Sequence, residues 1–200
     1  MMEFHLITDG CQSAERTADI MRIIGPDIDL LHVREKRLSA AELYTFMSTI
    51  SERGCCLPGQ LAVNDRVDAA LLFGAGTVQL TSLSLPLRLV KEAFPALRCG
   101  ASVHSLQEAL AAEQAGADYV LFGHIYESTS KPGMPPQGLR SLEELCHTVS
   151  IPVIALGGIQ PHHVQDIKRA GASGIAVMSG IWRVPDPAGM AKEYRRALMT

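Results

Sequence analysis

The chain has 200 residues, 47% hydrophobic and 20% charged. At roughly 150 residues per domain that is one domain with a globular composition, which excludes a disordered chain. Eighteen basic and 21 acidic residues leave a net charge of −3, with no stretch that gathers Lys and Arg onto one face, so nucleic acid is not an expected partner. No run of 18 apolar residues occurs, which argues against a membrane span, and MMEFHLITDG lacks the basic start and apolar run of a secretion signal. The expectation is a soluble, cytoplasmic protein. Five cysteines, Cys11, Cys55, Cys56, Cys99 and Cys146, form no CxxC pair, and all five read as structural.

Short apolar runs alternate with longer amphipathic ones along the whole chain. A strand over Phe4 to Thr8 precedes a helix over Ser13 to Ile24, and a strand over Leu30 to Arg34 precedes a helix over Ala40 to Arg53. The pairs Leu61 to Asn64 with Val67 to Phe73, and Thr77 to Leu80 with Pro86 to Phe94, follow. Then come Arg98 to Ser102 with Leu106 to Ala115, and Tyr119 to Gly123 with Leu142 to Val149. Val153 to Leu156 with Pro161 to Ala170, and Gly174 to Met178 with Ala188 to Met199, complete eight units. Ser39 ahead of Glu42 and Ser105 ahead of Glu108 read as capping boxes, and Gly116 and Gly171 as helix stops.

Eight βα units in this length predict an α/β fold, a single (β/α)8 TIM barrel over residues 1–200. An open doubly wound sheet is the alternative. Its phosphate-binding GxGxxG is missing after the first strand, which runs into Thr8-Asp9-Gly10-Cys11. The stretch from His124 to Gly138, rich in Pro, Gly and Ser, reads as one long functional loop.

In such a barrel the residues just past each strand form the active site. Here they include Arg34 and Lys36, Asn64 and Asp65, Ser102, then His124, Ser128, Ser130 and Lys131. Gly157-Gly158 and Ser179-Gly180 follow the last two strands and read as a phosphate site, because glycine lets backbone amides approach an anion. A histidine at the strand-six rim is placed to take and return a proton near neutral pH, which makes His124 the candidate acid/base. His32 and His104 are strand-end neighbours, placed to touch substrate or support groups that do. Arg34, Lys36 and Lys131 suit an anionic ligand.

The segments HVREK at 32–36, NDRVDAA at 64–70, GADYVLFGHIYESTSKPG at 116–133, IPVIALGG at 151–158 and GIAVMSGI at 174–181 resemble the thiamine phosphate synthase/TenI superfamily of TIM barrels, in collinear order. In the synthases of that superfamily a Mg²⁺-dependent coupling joins a pyrimidine pyrophosphate to a thiazole phosphate. The resemblance places their first metal carboxylate at Asp65 and their second where this chain has Ser84, and their Gly-Pro after strand six where it has Gly123-His124. Both departures resemble the TenI branch of thiazole tautomerases.

That resemblance implies an isomerase that aromatises a carboxythiazole phosphate by a 1,3 proton shift, with His124 as general acid/base and no metal or other cofactor. It implies a small-molecule thiazole phosphate as partner, held by Arg34, Lys36, Asn64, Ser102, Ser128, Ser130, Lys131, Gly157, Gly158, Ser179 and Gly180, and it allows a homodimer. A divergent Mg²⁺-dependent thiamine phosphate synthase is the alternative, since Asp65 survives. A non-enzymatic TenI-type regulatory protein that binds a thiazole phosphate is a third.

Overall fold

The computed structural model describes residues 2–54 and 56–200, so Cys55 lies outside the described residues. Eight parallel strands close into a barrel in chain order: β1 (Glu3–Ile7), β2 (Leu30–Val33), β3 (Leu61–Asn64), β4 (Thr77–Leu80), β5 (Arg98–Val103), β6 (Tyr119–Gly123), β7 (Val153–Leu156) and β8 (Gly174–Val177). Closure is direct: Leu6 pairs with Leu31 of β2 on one side and with Val177 of β8 on the other. The single TIM barrel is therefore the observed fold, and the open sheet is excluded.

The helices are α1 (Ala14–Ile24), α2 (Ala40–Gly54), α3 (Val67–Phe73), α4 (Leu87–Ala93), α5 (Leu106–Gln114), α6 (Gly138–Thr148), α7 (Val164–Arg169), α8 (Ser179–Trp182) and α9 (Pro187–Met199). Their starts follow local chemistry. Ser39 and Glu42 form a reciprocal cap, with Glu42 Oε2 accepting from Ser39 N at 2.8 Å and Ser39 Oγ from Glu42 N at 3.3 Å. At α5 the carboxylate of Glu108 reaches one residue further back, accepting from His104 N at 2.7 Å.

Two helices differ from expectation. The segment expected over Pro161 to Ala170 is a 3₁₀ turn, Pro161–His163, followed by α7. Helix α6 begins at Gly138 rather than Leu142, because Leu139, Leu142 and Leu145 continue one apolar stripe backwards. The four-residue α8 is too short to show a helical period in sequence.

The main core lies between strands and helices, where Phe4, Leu6, Met47, Ile50, Leu61 and Leu142 are almost fully buried. A smaller core of Ile7, Tyr119, Leu121, Ile154 and Ala176 fills the barrel. Polar groups share that interior. Glu3 Oε2 accepts from His5 Nε2 at 2.6 Å, and His5 Nδ1 meets His32 Nε2 at 3.0 Å. His32 is thus buried inside the barrel at 1% exposure, not at the rim where its place beside Arg34 suggested. Strand alternation explains the correction: β2 ends at Val33, and residue 32 points inward a layer below the mouth. Burial, then its neighbours His5 and Arg98, hold the His32 imidazole well below its usual range, so it is neutral.

Candidate active site

At the β6 corner the chain leaves Gly123 through a cis peptide bond into His124, which is 5% exposed. The segment is held by its backbone. Gly123 O accepts from His104 Nδ1 at 3.0 Å, Ile125 N donates to Leu156 O at 2.9 Å, and His124 O accepts from Gln137 N at 2.8 Å. His124 Nε2 lies 3.1 Å from Met134 O. A carbonyl only accepts, so the neutral ring carries its hydrogen on Nε2 and presents a lone pair on Nδ1. The long loop of residues 124–137 thereby selects the tautomer of its own first residue.

Gly157 and Gly158 stand against this segment with φ of +99° and +67°. A Cβ on Gly157 would overlap His124 Cβ and come 2.7 Å from His124 Cα; one on Gly158 would come 2.7 Å from Tyr126 O. Both positions therefore need glycine for the His124 loop to pack, a reason distinct from the approach of a phosphate.

The β3–β4 corner is built from side chains. Asp65, at φ +64°, accepts on Oδ1 from Thr81 Oγ1 at 2.9 Å and from the Ser84 hydroxyl, and on Oδ2 from the Asn64 amide. Ser84 Oγ also accepts from Thr81 N at 2.7 Å. The amide of Asn64 is accordingly turned to its neighbour rather than to the mouth. A Mg²⁺ ion requires oxygen donors, usually one or two carboxylates with waters and substrate phosphates. Here the one carboxylate at the corner is ringed by three neutral donors, and among the described residues no cluster of three His, Cys, Asp or Glu side chains has metal-binding geometry. These residues do not fit a pyrophosphate-bound Mg²⁺ carried on two carboxylates.

Charge is unevenly shared around the mouth. Among the described residues no ion pair involves Arg34, Lys36 or Lys131, which leaves these cations available to an anion. Arg34 is half-buried and its backbone N donates to Thr8 Oγ1 at 2.8 Å, while Lys36 is exposed. Beside them Asp9 Oδ2 is buried with no hydrogen-bond donor, 3.7 Å from Arg183 Nε. Burial, opposed by a hydrogen bond with Thr8 and reinforced by Asp9, pushes the Glu35 carboxyl up from the ordinary range.

The remaining expected residues occupy three places. Ser128, Ser130 and Lys131 share one turn of the long loop, where Ser130 N donates to Ser128 Oγ at 3.3 Å and Lys131 N to Ser128 O at 3.1 Å. Ser102 is half-buried near the end of β5 and accepts from Gln79 Nε2 at 3.0 Å. Ser179 and Gly180 open α8, which Trp182 anchors by donating from Nε1 to Ile7 O at 2.6 Å. The amides of Ile181 and Trp182 donate to Met178 O at 3.2 and 3.4 Å, which leaves those of Ser179 and Gly180 without an acceptor inside the turn.

Thr81, Arg183 and the carbonyl of Met134 hold places not assigned from the sequence, while Gln79, read there as one of the polar strand-end residues, lies buried within β4. Thr81 carried a readable signal, a hydroxyl directly after a strand; a backbone carbonyl carries none.

A profile of the family described as thiamine monophosphate synthase (TMP-TENI) matches residues 4–181. Thiamine-phosphate synthase of Pyrococcus furiosus is 35% identical over 166 residues, 83% of this chain and 80% of that protein. Thiamine-phosphate synthase of Chlorobium phaeovibrioides is 39% identical over 160 residues, 79% of this chain and 77% of that protein. Among solved structures, thiamine phosphate pyrophosphorylase from Pyrococcus furiosus superposes with a TM-score of 0.84 at 30% identity, covering 99% of this chain and 96% of that one. A 3-hexulose-6-phosphate synthase at 18% identity, with a TM-score of 0.79 and coverage of 98% and 100%, shares the fold alone. These family relatives carry the synthase name and not that of a tautomerase.

Proposed function

Since the chain belongs to the thiamine monophosphate synthase (TMP-TENI) family, we propose that it acts in thiamine biosynthesis as the isomerase of that family's chemistry, aromatising a carboxythiazole phosphate tautomer. The observation that carries this reading is Asp65, whose carboxylate is closed in by Ser84, Thr81 and Asn64 at the corner where a synthase needs paired carboxylates. His124, at the opposite side of the mouth, needs only a substrate.

In this reading His124 Nδ1 takes the proton from the ring carbon that bears the carboxylate, and the electron pair of that C–H bond moves into the ring. The imidazolium returns a proton to the exocyclic carbon as its double bond moves into the ring, so the proton shift balances with one group as base and then acid. Aromatic stabilisation drives the step, and positioned acid/base catalysis contributes a factor of about 10² to 10⁴. Arg34 and Lys131 supply positive charge for the carboxylate, with Lys36 beside them at the rim. The amides at Gly157-Gly158 and at Ser179-Gly180, where α8 begins, offer donors to the phosphate. Ser102 contributes a hydroxyl, and Ser128 and Ser130 shape the turn that carries Lys131.

The comparisons by themselves favour a second reading, the transferase, over the isomerase: the relatives are named thiamine-phosphate synthase, and Arg34, Lys36, Asp65 and Lys131 are all present. One pair of assays separates the two. The non-aromatic tautomer is supplied and the ultraviolet change on aromatisation followed; in parallel, pyrimidine pyrophosphate, thiazole phosphate and Mg²⁺ are supplied and thiamine phosphate sought. Aromatisation without coupling is expected. Thiamine phosphate formation at an enzymatic rate, with no acceleration of aromatisation, would replace the isomerase reading by the transferase.

A further inference from the structure

Beneath the mouth, inside the barrel, a directed line of hydrogen bonds ends at Ser102. Tyr119 Oη donates to Gln79 Oε1 at 2.7 Å, and Gln79 Nε2 donates to Ser102 Oγ at 3.0 Å. The direction follows from satisfiability. With the amide turned the other way, Tyr119 Oη would accept from Nε2, and its own hydrogen would be buried without an acceptor, at a cost that the observed orientation avoids. Tyr119 is 0% exposed and Gln79 1%, so neither turns to water instead. Burial pushes the Tyr119 phenol up from its usual range, which keeps it a donor at any working pH.

The line is held from below and from the side. The Arg98 guanidinium lies 4.7 Å from the Tyr119 ring centroid and pairs with Glu3 at 3.3 Å. Position 100 has to be glycine: a Cβ there would overlap Tyr119 Cζ and Gln79 Oε1 and stand 2.5 Å from Tyr119 Oη. Ser102 pairs with Leu121, and Gln79 with Gly100, so both Tyr119 and Gln79 lie below Ser102 along the barrel axis. The exposed side of Ser102 is therefore its mouth side. With Oγ already accepting from below, its hydroxyl hydrogen meets no acceptor among the described residues.

We infer that Tyr119 and Gln79 are positioning residues that make Ser102 an obligate hydrogen-bond donor to the bound anion. This deepens the proposed function and rests on its reading of the mouth as a carboxythiazole phosphate site. The consequence is specific to the amide. Removing the Tyr119 hydroxyl leaves Gln79 Oε1 without a donor and takes away the contact that fixes the amide, so the turned amide, in which Oε1 competes for the Ser102 hydrogen, becomes accessible and weakens the donor role of Ser102.

The test is equilibrium binding of the aromatic carboxythiazole phosphate by calorimetry, which does not depend on turnover. Tyr119→Phe keeps the ring and its Arg98 contact and is expected to raise Kd about tenfold, as a lost hydrogen bond to a charged acceptor would. Ser102→Ala should raise Kd similarly, and the double variant should be no weaker than Ser102→Ala alone, a non-additivity that loss of packing would not produce. Gln79→Glu, whose oxygens both accept once ionised, should bind progressively more weakly as pH rises through the titration of its buried carboxyl, with the Tyr119 hydroxyl intact, which keeps the inference open to refutation should Tyr119→Phe fail to fold. Multiplying effects in the double variant, wild-type affinity in Tyr119→Phe, or wild-type affinity in Gln79→Glu at every pH up to about 9, would overturn it, as would no binding by the wild type. Wild-type protein that binds this ligand yet leaves the tautomer unconverted defeats the isomerase reading alone.

Discussion

Two corners of the barrel mouth are made rigid by opposite means. At the β3–β4 corner three side-chain donors close on Asp65, so a charged group that faces the mouth has its valences filled from within the protein. At the β6–β7 corner almost no side chain takes part: His124 is held by backbone bonds and by two glycines whose missing side chains let the chain come close. A corner with satisfied polar atoms is suited to structure. A corner where one imidazole keeps an unengaged nitrogen is suited to proton transfer, and the difference separates a supporting region from a working one.

The largest effect should come from removing the working group. His124→Ala is expected to slow aromatisation by about 10² to 10⁴ while calorimetry still detects binding of the aromatic product; turnover retained in that variant would move the catalytic role elsewhere. Next come the two ways of holding a corner. Gly157→Ala forces a side chain into positive φ and onto His124, at a cost of about 2–4 kcal/mol in urea unfolding, with at least about a tenfold loss of turnover. Ser84→Ala removes one of three donors to Asp65 and should cost about 1–2 kcal/mol with turnover within a factor of about 3. If Ser84→Ala proved the more damaging to turnover, the assignment of the two corners would be reversed.

The smallest effect concerns the interior on which both corners rest. Hydrogen bonding from His5, opposed by burial and aided by Arg98, holds the Glu3 carboxyl down from 4.5 to about 2. Its folded pKa lies below the unfolded value, so the stabilisation is present above pH 4.5 and is lost as pH falls from 4.5 towards about 2. His32 adds a loss of the same sign at higher pH: it is neutral when folded and protonates once unfolded, so stability declines as pH drops below its ordinary 6.5. Urea titrations of wild type and Glu3→Gln should differ by a constant offset above pH 4.5 and converge as pH falls from 4.5 towards about 2. A wild-type decline there no steeper than in Glu3→Gln would show that the Glu3–His5 bond adds nothing.

The barrel was legible because its signals are local. Runs such as Val153 to Leu156 and stops such as Gly171 each occupy a few residues, and their repetition specifies the closed sheet. His124, Arg34 and Lys131 were legible as mouth residues for the same reason, since each directly follows a strand or lies in the loop after one. What these groups touch was not. Asn64, expected to meet a ligand, turns to Asp65; His32, expected at the rim, lies inside; and Gly157 and Gly158, chosen for a phosphate, are required first by the loop that starts at His124, Gly157 by His124 itself and Gly158 by Tyr126 and Glu127.

By itself the amino-acid sequence determined eight βα units, the family to which they belong and the side chains available at the strand ends, because period, caps and motif order are properties of neighbouring residues. Tertiary structure alone decided the state of those side chains. The Nε2 hydrogen of His124 depends on a carbonyl ten residues away, the closure of Asp65 on a hydroxyl 19 residues away, and the donor role of Ser102 on an amide 23 residues away in another strand. Hydrogen bonding is satisfied in space, so protonation and donor direction follow from contacts that no local pattern encodes.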